Sequence, residues 1–413
     1  MNEKVSSERG EMSHLVWFLG FSCLFPSVAL FHLGSSTGIQ FSNLFSIAFC
    51  GLLFARGKLK LSKWFCSVWL LLCVLFIIHN IFYRNNDLLI KNFVAFHFSL
   101  IAVVAGLNLA TRPHLVNEFI RGYVSASTVV SLFACVQFIG WQIFGSSSGL
   151  LLGFRNNRGF GDLDASQLVD FTAYGRAFGF SSEPSVLALL LLPSLIYLML
   201  TRRSTRALLI ALGLAATQSI TVLAFVGPLV VYSLFKVKHS GKSIRLLAGV
   251  ALMGTVAFLV APHLGQLGSR LGDLAFDASS LARLNSIWSG INAVELRPLL
   301  GWGIQSDDLN AHIEGMSTIF EENKNIHSLL LSLFAWFGIP LALFIIWPVC
   351  RFIFSKNVIC LAGSDVFIVA TIIPAFLSLN YFNIYNIWIC FGLAAGFVIF
   401  GKKQFGLVRI SLH

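Results

Sequence analysis

The chain alternates long apolar runs with short basic segments, and this pattern limits it to a protein that crosses a membrane several times. Runs of about 17 to 25 apolar residues are long enough to span a bilayer as helices. Because 56 % of the 413 residues are hydrophobic and only 11 % are charged, too little polar surface remains for a soluble globule. The first six spans are predicted at Leu15–Leu33, Ile39–Ala55, Trp64–Tyr83, Phe93–Ala110, Tyr123–Phe144 and Pro184–Leu200.

The later apolar runs raise the expected number of spans to about 12, with both termini in the cytoplasm. Basic clusters flank both ends of Ala207–Phe235, so this run is predicted to form two short helices with a turn near Thr217–Ser219. Leu246–Ala261 and Ser328–Val349 are predicted as single spans, and Val366–Phe400 as a hairpin. The expected fold class is therefore an all-α integral membrane protein.

The distribution of basic residues supports this topology. Of the 29 Lys and Arg residues, the topology places nine outside and the other 20 in the cytoplasm, which is the bias expected of cytoplasmic segments. The net charge of +11 is explained by these topology signals, so we expect no nucleic-acid partner.

Two long loops, which the topology places outside the cytoplasmic membrane, carry 12 of the 18 acidic residues. Long loops in a compact protein are usually either functional or disordered, and we expect these two to be functional. In the second loop, Leu281, Leu284, Trp288, Ile291 and Val294 recur at helical spacing and predict an amphipathic helix against the membrane face. The predicted regions are a five-helix membrane region (1–144), an outer loop (145–183), a membrane region with a short hairpin (184–261), a large outer loop (262–327) and a C-terminal membrane region (328–413).

The sequence gives no sign of a cofactor. It has no Gly-rich phosphate loop of the nucleotide-binding type, and none of its eight cysteines has a metal-ligand spacing. Asp307 and Asp308 could hold a divalent cation, but acidic runs in aqueous loops are usually only solvated. We therefore expect no metal and no cofactor, with the acidic pair kept as a weaker candidate site.

The segment from Tyr174 to Ser185 joins a cation, a carboxylate and a predicted helix start. Arg176 offers a planar guanidinium suited to phosphate, and the helix beginning at Pro184 presents free backbone N–H groups that favour anions. The segment therefore predicts a site for a lipid diphosphate. The structural alternative is that Arg176 touches lipid headgroups and Glu183 caps its helix.

Further candidates lie in and after the second outer loop. Arg283 lies beside the apolar stripe and could point towards the same site, or could reach lipid headgroups instead. Arg297 is a weaker candidate, and the glycines of the Gly301-Trp302-Gly303 turn are expected to serve backbone geometry. His327 precedes a predicted span, where its imidazole could exchange a proton or could only cap the helix.

The order and spacing of these segments resemble the O-antigen polymerase and O-antigen ligase superfamily, which includes the Wzy-type polysaccharide polymerases. The resemblance rests on Arg176-Ala-Phe-Gly-Phe180 with Glu183-Pro-Ser185, on the pattern Arg283…Trp288…Pro298-Leu-Leu-Gly-Trp-Gly303, and on Asn325-Ile-His-Ser328 leading into Phe337-Gly-Ile339. The Glu-Pro-Ser variant looks most like exopolysaccharide polymerases. Two positions depart from the superfamily pattern: no basic residue follows Ser219, and Trp336 stands where an acidic residue often precedes the glycine.

The resemblance implies a GT-C-like polytopic glycosyltransferase of the bacterial inner membrane, with its active site facing the periplasm or exterior. Its donor would be an oligosaccharide on undecaprenyl or another polyprenyl diphosphate, and the reaction would invert the anomeric carbon without a metal. Arg176 and Arg283 would bind the diphosphate, and His327 or Glu183 would be the base. The growing polysaccharide would be the acceptor, and a chain-length regulator and a flippase are possible partners.

The sequence leaves two other functions open. A ligase would use the same donor and the same arginines but transfer the glycan to a lipid or protein acceptor. A glycan flippase or permease should instead carry charged or broken helices at the membrane midplane and little outer-loop mass. The observed charge distribution is the opposite, which favours the enzyme.

Overall fold

The structure, a computed structural model, describes residues 2–26, 28–33, 37–82, 87–145, 175–181, 183–201, 204–219, 225, 229, 278–304, 326, 328–354, 363–378 and 384–404. Almost all regular structure in these ranges is helical, which confirms the expected helical class. The helices are α1 (Asn2–Ser22), α2 (Phe41–Ala55), α3 (Lys63–Phe82), α4 (Asp87–Ala110), α5 (Pro113–Phe144), α6 (Pro184–Leu200), α7 (Ser204–Ala216), α8 (Ala278–Leu296), α9 (Leu329–Phe354), α10 (Ser364–Ser378) and α11 (Tyr385–Gln404).

A short antiparallel hairpin is the exception to the all-α prediction. It pairs β1 (Ala29–Leu33) with β2 (Thr37–Gln40) where the first predicted span, Leu15–Leu33, was expected to continue. Helix α1 ends at Ser22, because Pro26 follows and proline cannot extend a helix. The amide of Gln40 donates a hydrogen bond to the Pro26 carbonyl and ties the hairpin to this turn.

Membrane-spanning character is evident in the described helices. By length and composition, Pro113–Phe144, Pro184–Thr201 and Leu329–Phe354 could each cross a membrane, and six shorter apolar helices of 10–17 residues accompany them. Together they indicate a membrane protein. The count of about 12 spans and the two outer loops remain predictions, since Leu246–Ala261 and most residues of both loops lie outside the described ranges.

Close helix contacts join the N-terminal and C-terminal regions. A Cβ at Gly106 of α4 would overlap the carbonyl of Ile389 in α11, and a Cβ at Gly392 would overlap the carbonyl of Val103. Small residues at such contacts let helix backbones approach closely, which is how helices associate where lipid removes the hydrophobic driving force. The N-terminal helices are therefore packed directly onto the C-terminal ones.

In helix α8, small and polar side chains face the protein and several large apolar side chains face outwards, as in a helix that is surrounded by lipid. Its buried side carries small residues, and an added Cβ at Gly290 would lie 3.0 Å from the Leu331 side chain of α9. Trp288, by contrast, is 58 % exposed. This outward position agrees with the expected contact with the membrane face. Among the described side chains of α8, the buried ones include Asn285, Ser286, Ser289 and Ala293, and the exposed apolar ones include Ile287 and Leu296.

The topology can be tested by cysteine labelling in a variant that lacks the native cysteines. Glu295 is exposed at the end of α8 and Lys402 lies in the last turn of α11. We expect a membrane-impermeant maleimide to label Glu295→Cys in intact cells, and to label Lys402→Cys only after the membrane is opened, because basic ends favour the cytoplasm. Labelling of Glu295→Cys from the cytoplasmic side would remove the proposed outer site.

Candidate functional site

Residues 175–181 form a turn that packs against α5, the end of α7 and the start of α6, and they carry Arg176. The backbone N–H of Ala177 donates to the Ala216 carbonyl at 3.0 Å. The guanidinium Nε of Arg176 donates to the carbonyl of Thr217 at 3.3 Å, just past the end of α7. Arg176 is only 8 % exposed. The turn therefore holds a cation inside the protein, against the α7 end.

Two glycines allow the turn to take this shape. Gly175 has φ +62° and Gly179 has φ +58°, a region that residues with a Cβ rarely adopt. A Cβ at Gly175 would overlap the ring of Trp141 in α5, and one at Gly179 would lie 3.0 Å from Val130. The Gly-Arg-Ala-Phe-Gly sequence thus places its arginine through backbone geometry.

Glu183 lies directly before α6, at the position predicted from the sequence. Its backbone is extended, Pro184 occupies the first turn, and its side chain makes no capping hydrogen bond to the helix backbone. One carboxylate oxygen instead accepts a hydrogen bond from Ser185 Oγ at 3.1 Å. The capping role expected as the alternative for Glu183 is therefore absent from the described contacts, and its carboxylate lies beside the α6 N-terminus.

The predicted turn near Thr217–Ser219 is confirmed. Helix α7 ends at Ala216, and Gln218 has φ +48°. The Thr217 hydroxyl donates to the Leu214 carbonyl at 2.7 Å and accepts from the Ser219 N–H at 3.3 Å. This turn presents the Thr217 carbonyl to Arg176, so the two segments form one unit that sequence spacing did not reveal.

The second and third superfamily motifs also meet in space. Residues 297–303 lie against residues 335–339 of α9, and we call this pair the clasp. Helix α9 kinks within it, because Gly338 takes φ +73° and ψ 165°. Three backbone hydrogen bonds cross the clasp: Trp302 N to Ala335 O at 2.8 Å, Gly303 N to Trp336 O at 3.0 Å, and Ile339 N to Pro298 O at 2.7 Å.

Side chains reinforce the clasp. The guanidinium carbon of Arg297 lies 3.8 Å from the centre of the Trp302 ring, a cation–π distance. Trp302 Nε1 donates to the Ala293 carbonyl of α8 at 2.8 Å. His79 of α3, which sequence reasoning did not connect to this motif, lies with Nε2 3.1 Å from the Leu300 carbonyl. The structure thus places Arg297 in the clasp.

The remaining candidates are described only in part. Arg283 lies on α8, but its side chain is outside the described part, as are His327, Asp307 and Asp308. Ser328, the neighbour of His327, donates from its hydroxyl to the Phe376 carbonyl of α10 at 2.6 Å. Among the described residues, no group of three or more His, Cys, Asp or Glu side chains is placed to hold a metal ion.

Comparison with known proteins identifies the central part of the chain. Residues 185–346 match a family model described as O-antigen ligase, whereas no curated protein matches the chain. The matched stretch includes α6, α7, α8 and the clasp; Arg283, Arg297 and His327 lie inside it, and Arg176 and Glu183 lie just before it. Residues 185–346 are therefore similar to the O-antigen ligase family, and this match supports the resemblance of the chain to the O-antigen polymerase and ligase superfamily.

Proposed function

We propose that the protein is a polymerase that joins polyprenyl-diphosphate-linked oligosaccharide units into O-antigen, capsule or exopolysaccharide. The family match supports polymerase- or ligase-type glycan transfer in general. The observation that carries the finer proposal is the buried Arg176 guanidinium, held in a glycine-bounded turn that packs on the start of α6. A buried cation near a helix N-terminus favours an anionic ligand.

The chemistry of the donor explains why such a site is needed. The glycosidic bond to a diphosphate is already activated, so the protein must stabilise the departing diphosphate and deprotonate the acceptor hydroxyl. Arg176 suits the first task because a guanidinium can contact two phosphate oxygens at once. We assign Arg283 to the same diphosphate. Attack of the acceptor from the opposite side would invert the anomeric carbon.

Two residues compete for the role of general base. The Glu183 carboxylate lies at the α6 N-terminus and its described partner is a hydroxyl, Ser185 Oγ. His327 directly precedes Ser328 in the sequence, and the Ser328 hydroxyl donates to the Phe376 carbonyl of α10. We place the site on the periplasmic or outer side of the inner membrane, with the growing polysaccharide as acceptor and a chain-length regulator and flippase as partners.

Ligase activity is the second candidate, because the matched family model is described as O-antigen ligase. A ligase would use the same donor and the same Arg176 site but a different acceptor. Incubating the purified chain with the lipid-linked donor alone separates the two functions. A polymerase produces a ladder of longer lipid-linked glycans, whereas a ligase produces none until a lipid or protein acceptor is added.

Metal independence is tested in the same reconstituted assay. If arginines neutralise the leaving diphosphate, polymer formation should continue in excess EDTA, and Asp307→Asn combined with Asp308→Asn should change the rate by less than about threefold. The rate of lipid-linked product formation is the measurement. Strong EDTA inhibition that a divalent cation reverses would transfer the electrophilic role to a metal site.

The base is identified by comparing His327→Ala with Glu183→Gln. Loss of general acid–base help lowers turnover by about 100-fold or more, and we expect this loss in one of the two variants while the donor lipid still binds. Ser185→Ala serves as the matched control, since it removes the described hydrogen-bond partner of Glu183 without removing either base. Near-normal turnover in both His327→Ala and Glu183→Gln would contradict the proposed mechanism.

A further inference from the structure

Two fully buried side chains in or beside the Arg176 turn each carry a hydrogen-bond donor without a partner among the described residues. The donors are Nε2 of Gln137, on α5, and the hydroxyl of Ser181, at the end of the turn. Both residues are 0 % exposed. A buried donor without a partner costs folding free energy, and such groups are rare in folded proteins unless a ligand or another function uses them.

The orientation of the Gln137 amide follows from its one described hydrogen bond. Its side-chain oxygen accepts from the backbone N–H of Gly179 at 2.8 Å. Because a backbone N–H can only donate, the oxygen must face Gly179, which leaves Nε2 as the unpartnered atom. Gln137 therefore holds the turn with one atom and offers a donor with the other.

Ser181 uses its backbone N–H, and not its hydroxyl, to hold the turn. The Ser181 N–H donates to the Phe178 carbonyl at 3.0 Å, which closes the end of the turn. The side-chain oxygen takes no part in this bond. Ser181 and Gln137 thus both contribute a spare donor within or beside the segment that carries Arg176.

We propose that Gln137 and Ser181 donate hydrogen bonds to the diphosphate of the donor lipid, beside Arg176. This inference rests on the proposed function, and it adds two neutral donors and helix α5 to the expected arginine site. Neutral donors complement a guanidinium because a diphosphate has more oxygen acceptors than one arginine can satisfy. Since both atoms are buried, the ligand reaches them only after neighbouring side chains move aside.

The decisive experiment compares two substitutions of Gln137 that separate its two roles. Gln137→Glu keeps an oxygen for the Gly179 N–H but replaces the spare donor with a carboxylate oxygen, which repels phosphate. Gln137→Met loses the oxygen and the donor but adds no charge. The full chain in detergent at pH 8 is titrated calorimetrically with farnesyl diphosphate, and farnesol reports binding of the tail alone.

We expect Gln137→Glu to weaken farnesyl diphosphate binding more than Gln137→Met does, and Ser181→Ala to weaken it by about tenfold, as expected for losing a hydrogen bond to a charged group. Ser131→Ala is the matched control, because it removes another buried, unpartnered hydroxyl of α5 and should leave affinity unchanged. Ser181→Ala removes a single oxygen, so it remains a test even where a Gln137 variant fails to fold, as judged by its melting temperature.

The opposite order would overturn the inference. Wild-type affinity in Gln137→Glu with a loss in Gln137→Met would show that Gln137 only holds the Gly179 N–H. Unchanged affinity in Ser181→Ala would show that Ser181 does not contact the diphosphate. Arg176→Ala separates this failure from that of the proposed function. Wild-type binding in Arg176→Ala would remove the diphosphate site itself, whereas lost binding there with intact binding in Gln137→Glu and Ser181→Ala would overturn only the added donors.

Discussion

Arg176→Ala should lower polymer formation by at least about 100-fold, the loss typical of removing one donor that stabilises developing negative charge. The guanidinium is buried and donates a hydrogen bond to the Thr217 carbonyl, so alanine would leave this buried position without its positive charge. Arg176→Lys should restore only part of the activity, because lysine keeps the charge without the planar fork. Polymer length and yield from the reconstituted protein are the measurements.

The matched control for this prediction is Arg206→Ala, because Arg206 is exposed on α7, outside the Arg176 turn. It should leave polymer yield unchanged at equal membrane expression. Near-normal polymer in Arg176→Ala would remove Arg176 from the mechanism. Loss of the protein from the membrane would point to a structural role for the Thr217 contact instead.

Gly338→Ala should strongly destabilise the protein, because both the backbone and its surroundings at this position exclude a side chain. The φ +73° and ψ 165° of Gly338 lie in a region that is essentially restricted to glycine, and placing another residue there costs about 1–3 kcal/mol. An added Cβ would also overlap the backbone carbonyl of Leu299, which cannot move without breaking the clasp. Forced overpacking adds about 1–3 kcal/mol, so we expect a strongly lowered melting temperature.

Gly51→Ala provides the matched control, since Gly51 lies inside helix α2 and a Cβ there meets no atom within 4 Å. Alanine favours a helix over glycine by up to about 1 kcal/mol, so Gly51→Ala should be neutral or slightly stabilising. A melting temperature for Gly338→Ala within the error of the Gly51→Ala value would contradict the rigid clasp.

The Arg297–Trp302 pair lies in a motif whose local turn could be predicted from the sequence, but whose tertiary contacts could not. The Pro298-Leu-Leu-Gly-Trp-Gly303 motif predicts a glycine turn, and the structure confirms that these glycines serve backbone geometry. Its contact with the kink at Gly338 could not be predicted, because the two segments are separated by more than 30 positions in the sequence and no local pattern records their pairing. The sequence therefore gives Arg297 only as a weak ligand candidate, and the fold alone reveals its stack on Trp302.

The buried face of helix α8 could not be predicted from its sequence pattern. Helical spacing identifies the apolar residues that include Trp288, but the side chains that contact the protein include the polar Asn285, Ser286 and Ser289. In water, the apolar side of a helix normally marks the buried face. Where lipid surrounds the helix, small residues pack and apolar residues face outwards, so a periodic pattern alone does not say which face is buried.

Local chemistry along the chain is enough to specify several features of this protein. Apolar length predicts the membrane class, proline places the start of α6 at Pro184, and the polar segment at Thr217–Ser219 predicts the end of α7. Helix packing, in contrast, is needed to specify which distant segments meet: Arg176 with the Thr217 carbonyl, Gln137 with Gly179, and His79 with Leu300. These contacts use backbone carbonyls and N–H groups that nearly every residue carries, so side-chain identity could not specify them until the fold brought them together.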